Sequence, residues 1–252
     1  ADAEEKSSVQ EQYDGVAPDY EEKWQVYIRL TLRAFMERTG PLNALGGTAR
    51  VLDVGTGTGA LVRTLHERWP KRKHIGVDIS KEMLHAAREQ SPPACTFVHG
   101  TAEALPFPDA SFDAVVSLSS LHFWDDPAAG LREIARVLRP GGVLMVSDGA
   151  FLARHRQGRT LLTTSLAAQV HDFVACQLCS WYLYLSPGHS RADWAILGSR
   201  AVRDMLGDAG FEAVEADKYK IDAHIFGSVW LPRWGMMSFA ARRSNAPWRE
   251  LS

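Results

Sequence analysis

The sequence predicts an α/β fold: a mostly parallel, seven-stranded sheet with helices on both faces and an antiparallel last strand. Three observations predict it. Short apolar runs alternate with amphipathic helical segments between residues 50 and 148, a glycine loop opens directly after the first run, and two final apolar runs lie close enough to pair antiparallel. Strand–helix–strand succession with right-handed crossovers makes neighbouring strands parallel and puts helices on both faces. At 252 residues the chain suits one large domain rather than two.

The elements follow in order. Residues 24–39 carry Ile28, Leu32, Phe35 and Met36 at helical spacing, and Gly40-Pro41 stops that helix. Arg50–Val54 is a short apolar strand carrying Asp53; the helix beyond the glycine loop sets Leu61, Leu65 and Trp69 on one face, and Pro70 closes it. His74–Val77 is the second strand and ends at Asp78. Ser80 is a good N-cap for the helix bearing Met83, Leu84 and Ala87. Cys95–His99 is the third strand. Phe112–Leu118 is the fourth, and its near-continuous apolar run suits a strand covered on both faces. Asp126-Pro127 opens a helix with Leu131, Ile134 and Leu138, proline taking its preferred first position. Pro140-Gly141-Gly142 turns the chain into the fifth strand, Val143–Ser147. From Gly149 to Pro187 the pattern weakens to helical content with many aromatics. A helix capped by Ser199, with Val202, Met205, Leu206 and Ala209 inward, ends at Gly210, and strands at about Glu212–Ile221 and Gly235–Arg242 complete the sheet.

Composition narrows the function classes. A net charge of −2 builds no broad positive field, so nucleic acid is not expected as the main partner. The local patch Arg154, His155, Arg156 and Arg159 reads as a solvated turn. Three cysteines are too few for a disulfide framework and point to a reducing, cytoplasmic compartment. The N-terminal ADAEEKSSVQEQ is acidic and polar, without a signal core. Leu161–Leu185 is broken by Gln169, His171, Asp172 and Gln177, so no transmembrane segment is expected, since a span needs roughly 20 apolar residues. Cys176-Gln177-Leu178-Cys179 has the spacing of a zinc half-site or redox pair. With no second C-x-x-C, it reads as buried apolar thiols, and no metal is expected.

The decisive segment is Val51-Leu52-Asp53-Val54-Gly55-Thr56-Gly57-Thr58-Gly59. Glycines at a strand–turn–helix junction let backbone approach a ligand closely and accept positive φ. The helix beginning near Ala60 points N–H groups at whatever binds there. Asp78, about 20 residues on, ends the second strand, where a carboxylate can accept both hydroxyls of a ribose. Gly55, Gly57 and Ala60 also satisfy the dinucleotide spacing, so a nicotinamide-dependent oxidoreductase is the alternative. None of Tyr13, Tyr20, Tyr27, Tyr182, Tyr184 and Tyr219 has the lysine four places on that short-chain dehydrogenases use.

Over residues 50–148 several blocks in order resemble the class I S-adenosylmethionine-dependent methyltransferases, in particular the ubiquinone/menaquinone-biosynthesis-like group acting on small molecules. VLDVGTGTG resembles that family's first motif and GVDISKEML its second. HGTAEALPFPDASFDAVVS resembles the adenine-contacting loop with the fourth strand, and EIARVLRPGGVLMVSD the helix and fifth strand after it. The resemblance implies a Rossmann-like fold with S-adenosyl-L-methionine as cofactor and a small-molecule acceptor. It places Gly55, Thr56, Gly57 and Gly59 at the methionine end with Asp53 beneath, and Asp78 on the ribose. Ile79 and Met83 would flank the adenine, with Thr101, Ala102 and Glu103 at its other edge; the family often has Asp where this chain has Thr101. Ser117 would face the methionine portion, and Tyr20, in a Tyr13-Asp14-…-Tyr20 segment resembling one that folds over the cofactor, would touch it.

A methyl group on a sulfonium is already activated, so such an enzyme chiefly aligns the acceptor and excludes water. His122, in the loop after the fourth strand, is the candidate general base, because histidine titrates near neutrality. Trp24, Tyr27, Phe151, Phe173, Trp181, Tyr182, Tyr184, Trp194, Trp230 and Trp234 suit a flat or apolar acceptor or pack a lid. O-, N- and C-methylation, and a non-catalytic cofactor-binding protein, stay open. The expected organisation is a single domain: cap helices over 1–45, a cofactor-binding core over 46–148, a lid insertion over 149–197, and a helix with an edge hairpin over 198–252.

Overall fold

A computed structural model describes residues 8–149, 199–221 and 234–245. Seven strands form one sheet: β1 (Arg50–Val54), β2 (Lys73–Asp78), β3 (Thr96–His99), β4 (Phe112–Leu118), β5 (Leu138–Gly149), β6 (Phe211–Ile221) and β7 (Trp234–Arg243), in the spatial order β3-β2-β1-β4-β5-β7-β6. Strands β1 to β5 pair parallel, and β7 runs antiparallel between β5 and β6. The expected class is therefore present, and the last strand is the antiparallel one. Strand order reverses between β1 and β4, and in open α/β sheets that crevice, at the carboxyl ends of the strands, is where ligands bind.

The helices are α1 (Ser8–Val16), α2 (Tyr20–Met36), α3 (Gly40–Asn43), α4 (Ala60–Arg68), α5 (Lys81–Gln90), α6 (Pro127–Val137) and α7 (Ser199–Asp208). Successive side chains point to opposite faces, and both faces of the central strands are buried, so the core forms on each side. Val51, Ala114, Val116, Val143 and Met145 join Phe35, Leu42, Leu61 and Leu65 on one side. Leu52, Val115, Leu144 and Val146 join Leu131, Ile134 and Phe239 on the other. Each fully buried side chain of this size contributes about 1.5–3 kcal/mol. Ser80 caps α5 by accepting the Met83 N–H at 3.1 Å, and Asp126 caps α6 by accepting that of Ala129 at 2.9 Å.

Several boundaries differ from expectation by a residue, and two regions by more. The first long helix runs Tyr20–Met36 rather than over 24–39, and Gly40-Pro41 opens the short helix α3 instead of only ending α2, because proline suits a first helical turn. Strand β5 starts at Leu138, which pairs Phe112 before Arg139–Gly142 bulges out and pairing resumes at Val143 with Ala114. In α7, Leu206 is buried, Met205 and Ala209 pack beside it, and Gly210 leaves the helix at φ +84°. Residues 150–198, with Cys176, Cys179 and the lid aromatics Phe151 to Trp194, lie outside the described residues, as does Trp230.

Candidate functional site

A cleft sits over the β1/β4 reversal. Asp53, Gly55, Thr56, Gly57, Asp78, Ile79, Met83, Thr101, Ala102, Glu103 and Tyr20 all line it. Strand geometry gathers them. Asp53 is next to last in β1, Asp78 ends β2, and α1 with α2 brings Tyr13 and Tyr20 to the same wall. Gly59, Ser117 and His122 lie outside the cleft wall.

Each glycine of the loop has a left-handed φ, but the three have different tasks. A Cβ on Gly55 would strike the Ser120 hydroxyl at 1.8 Å, so this glycine admits the loop after β4. A Cβ on Gly57 meets nothing within 4 Å, so there the missing side chain leaves space in the cleft. A Cβ on Gly59 would lie 2.8 Å from the Phe97 ring, so this glycine serves helix–strand packing. The loop amides are largely spent internally. Gly55 and Thr56 donate to the Val77 carbonyl, Gly57 to Asp78 Oδ2 at 2.7 Å and Gly59 to Thr56 O. Arg63 is the first residue of α4 to reach its helical acceptor, Gly59 O. Ala60 and Leu61, whose N–H groups precede the helical ladder, line the wall beside this loop.

Asp53 is 2% exposed; its Oδ2 accepts from the Thr56 hydroxyl at 2.8 Å, whereas Oδ1 has no hydrogen-bond partner among the described residues. Burial pushes its pKa up to about 7, the Thr56 bond opposing and nearby Asp78 adding to the rise. Burial also raises Asp78, against the pull of backbone N–H groups from Ser80, Gly57 and Ile79. Tyr20 is pushed up to about 12 by burial and by Asp78 and Glu21. The walls are acidic. Asp53, Asp78, Glu103 and Asp125 line the cleft, and no Lys, Arg or His does among the described residues.

A family described as "Methyltransferase domain" matches residues 52–146, which hold the glycine loop, Asp78 and strands β2 to β4. Residues 52–146 thus form a methyltransferase domain by this match. A demethylmenaquinone methyltransferase from Deinococcus radiodurans is 37% identical over 145 residues, covering 56% of this chain and 60% of that protein. A malonyl-[acyl-carrier protein] O-methyltransferase from Halorhodospira halophila is 32% identical over 169 residues, 66% of this chain and 56% of its own length. The chain thus spans about 60% of the length of the first curated relatives it matches. Among solved structures, a chain of the complex between the Haloferax volcanii Trm112 methyltransferase activator and a methyltransferase superposes with a TM-score of 0.69. It covers 95% of this chain and 99% of itself at 22% identity, a likeness of fold.

S-adenosylmethionine is the cofactor this methyltransferase family binds, and the residues present fit it. The orphaned Asp53 Oδ1 suits a nearby cationic group, the open space over Gly57 admits a ligand against backbone, and Asp78 stands where a ribose would reach it. Ser117 is fully buried in β4, and its Oγ makes no hydrogen bond among the described residues.

His122 lies in the short 3-10 turn Leu121–Phe123, its ring 3.9 Å from that of Phe123, which does line the cleft. Asp148 at the end of β5 grips it twice: Oδ1 lies 2.5 Å from His122 Nδ1, and Oδ2 accepts the His122 backbone N–H at 3.1 Å. Sequence reasoning missed Asp148, although the signal was the one that exposed Asp53 and Asp78, an acid at the end of an apolar strand. It also missed the fastening of the cap helices. Asp14 accepts the Ser80 hydroxyl at 2.6 Å, and Glu21 accepts that of Thr58 at 2.6 Å and pairs with Arg63. These partners are far apart in the chain and carry no local spacing.

Proposed function

We propose that this chain transfers the methyl group of S-adenosylmethionine to a small apolar or aromatic organic acceptor. The observation that carries the reading is the charge of the cleft. Four carboxylates and no basic side chain among the described lining residues suit a ligand bearing sulfonium and ammonium charges. The same walls repel the pyrophosphate of a nicotinamide cofactor, which argues against the oxidoreductase alternative. The matched domain and its methyltransferase relatives support the same reading.

The bound cofactor supplies a methyl group already activated for nucleophilic attack. The chain's own residues do the rest. Asp78 holds the ribose hydroxyls, and Ile79 and Met83 flank the adenine across from Thr101, Ala102 and Glu103. Tyr13 and Tyr20 cover the cleft and exclude water, which strengthens every electrostatic contact inside. His122, with Nδ1 engaged by Asp148, offers Nε2 as the atom that takes the acceptor's proton. The acceptor is a free small molecule rather than nucleic acid, in keeping with the net charge of −2. Among the described residues no helix is long and apolar enough to cross a membrane, and the cysteine content suits a cytoplasmic setting.

A screen of quinols, phenols, catechols and arylamines with methyl-labelled S-adenosylmethionine tests the reading. Label should enter at least one acceptor class in proportion to enzyme and time. Tight cofactor binding with no labelled product across all classes contradicts turnover and favours a non-catalytic cofactor-binding protein.

A further inference from the structure

Strand order puts Asp78 and Ser119 on opposite sides of β1, since β2 flanks it on one side and β4 on the other. The cleft therefore continues past the glycine loop, away from the ribose acid. Its wall there is Ile28 and Leu32 of α2, Leu61 of α4 and Leu118 of β4. Leu32 and Leu118 rest on the core cluster containing Phe35 and Leu61, so the bay has a packed apolar floor. Thr31 also lines it, but its hydroxyl is used on the backbone carbonyls of Tyr27 and Ile28, at 2.9 and 3.1 Å.

One polar feature breaks this apolar wall. The Tyr27 hydroxyl lies 2.8 Å from Ser119 Oγ, joining residues 92 apart in sequence. Ser119 reaches that position at φ +55°, a left-handed conformation disfavoured for a residue with a Cβ. It is held there by its own N–H, which donates to Ser147 O at 2.8 Å on β5. Strain of this kind persists where the surroundings over-determine it, and it is concentrated at functional sites. Here it aims a hydroxyl into the cleft, against a tyrosine, one residue beyond the apolar Leu118.

We infer that Tyr27 and Ser119 are the specificity pair for the acceptor, recognising a hydroxyl carried on an otherwise apolar molecule. A hydroxyl has one donor and two acceptor lone pairs, so beyond their mutual bond the pair can exchange a further hydrogen bond with an alcohol or phenol, which a bare hydrocarbon cannot offer. Such a half-buried pair discriminates by the one additional hydrogen bond that a hydroxylated ligand makes and its hydrocarbon analogue does not. The inference rests on the methyltransferase reading for the identity of the neighbouring cofactor, but its recognition step is separable from it.

The test uses two probes of nearly equal shape, 1-naphthol and 1-methylnaphthalene, titrated calorimetrically onto the whole chain saturated with S-adenosylhomocysteine. The wild type should prefer 1-naphthol by about 3- to 10-fold, the worth of one hydrogen bond. Tyr27→Phe and Ser119→Gly should each bring the two probes to near-equal affinity. Glycine accepts the left-handed φ without strain, so Ser119→Gly removes the hydroxyl while keeping the loop. A preference that survives both substitutions, an equal affinity in the wild type, or no binding of either probe overturns the inference. If S-adenosylhomocysteine itself fails to bind, the methyltransferase reading falls, and the same titrations on the unliganded protein judge the pair by the same criterion.

Discussion

The Asp78 carboxylate accepts the Gly57 backbone N–H at 2.7 Å, so the acid that ends β2 also holds the glycine loop that follows β1. One side chain thereby shapes the glycine loop and, in the proposed binding mode, would also meet the ribose. Asp78→Ala removes both contacts. S-adenosylmethionine and S-adenosylhomocysteine should each bind about 10- to 100-fold more weakly, the range for losing hydrogen bonds to a charged acceptor. Calorimetric titration reads this directly, and unchanged affinity would detach Asp78 from the ligand.

Gly57 and Gly59 separate binding from stability. Gly57→Ala puts a methyl group into open cleft, so cofactor affinity should fall while stability drops by only about 1 kcal/mol for the left-handed residue. Gly59→Ala drives a methyl against Phe97 and Ala87, so overpacking adds about 1–3 kcal/mol to that strain. Urea denaturation should rank Gly59→Ala as the less stable variant, with Gly57→Ala the weaker binder relative to its stability.

Asp53 makes the unliganded protein sensitive to pH near neutrality. Its folded pKa of about 7 lies above the ordinary carboxylate value, so the folded state holds the proton more tightly than the unfolded state does. The resulting stability is full at acid pH and is lost as pH rises through 7; Asp78 is raised too and acts in the same direction. Thermal unfolding at pH 6 and 8 should show Asp53→Asn losing part of this slope. Buried His74, held below its ordinary value, works in the opposite sense and cancels in that comparison. A cationic ligand favours ionised Asp53, so S-adenosylmethionine affinity should climb by up to about tenfold from pH 6 to 8. The neutral sulfur of S-adenosylhomocysteine should gain less.

His122→Ala should lower turnover by about 100-fold or more while leaving S-adenosylhomocysteine affinity intact, because the ring meets the cleft only at its edge, against Phe123. Asp148→Asn changes the partner that orients the ring at Nδ1, and its mark should be a lower turnover number with unchanged cofactor affinity. Equal losses of binding and turnover would assign the pair to loop structure.

Local signals carried most of the fold. Near-continuous burial in β1, β4 and β5, the Ser80 and Asp126 caps and the terminal hairpin follow from near neighbours in sequence. The bulge in β5 was hidden because Pro140-Gly141-Gly142 reads as a turn, yet Leu138 still pairs Phe112 before it. In the site, Asp53, Gly57 and Asp78 were legible from strand ends and glycine spacing. Gly59 was not separable from Gly57, since only the tertiary position of Phe97 distinguishes them. The Tyr27–Ser119, Glu21–Thr58 and His122–Asp148 contacts join residues 92, 37 and 26 apart, and no periodicity encodes such separations.

The central claim is that an acidic cleft over the β1/β4 reversal receives a sulfonium nucleoside. Parallel calorimetric titrations of the wild type with S-adenosylmethionine, S-adenosylhomocysteine and NAD test it most directly. One site per chain is expected for the first two, and no heat of binding for NAD. Saturable NAD binding, or silence with S-adenosylmethionine, would contradict it.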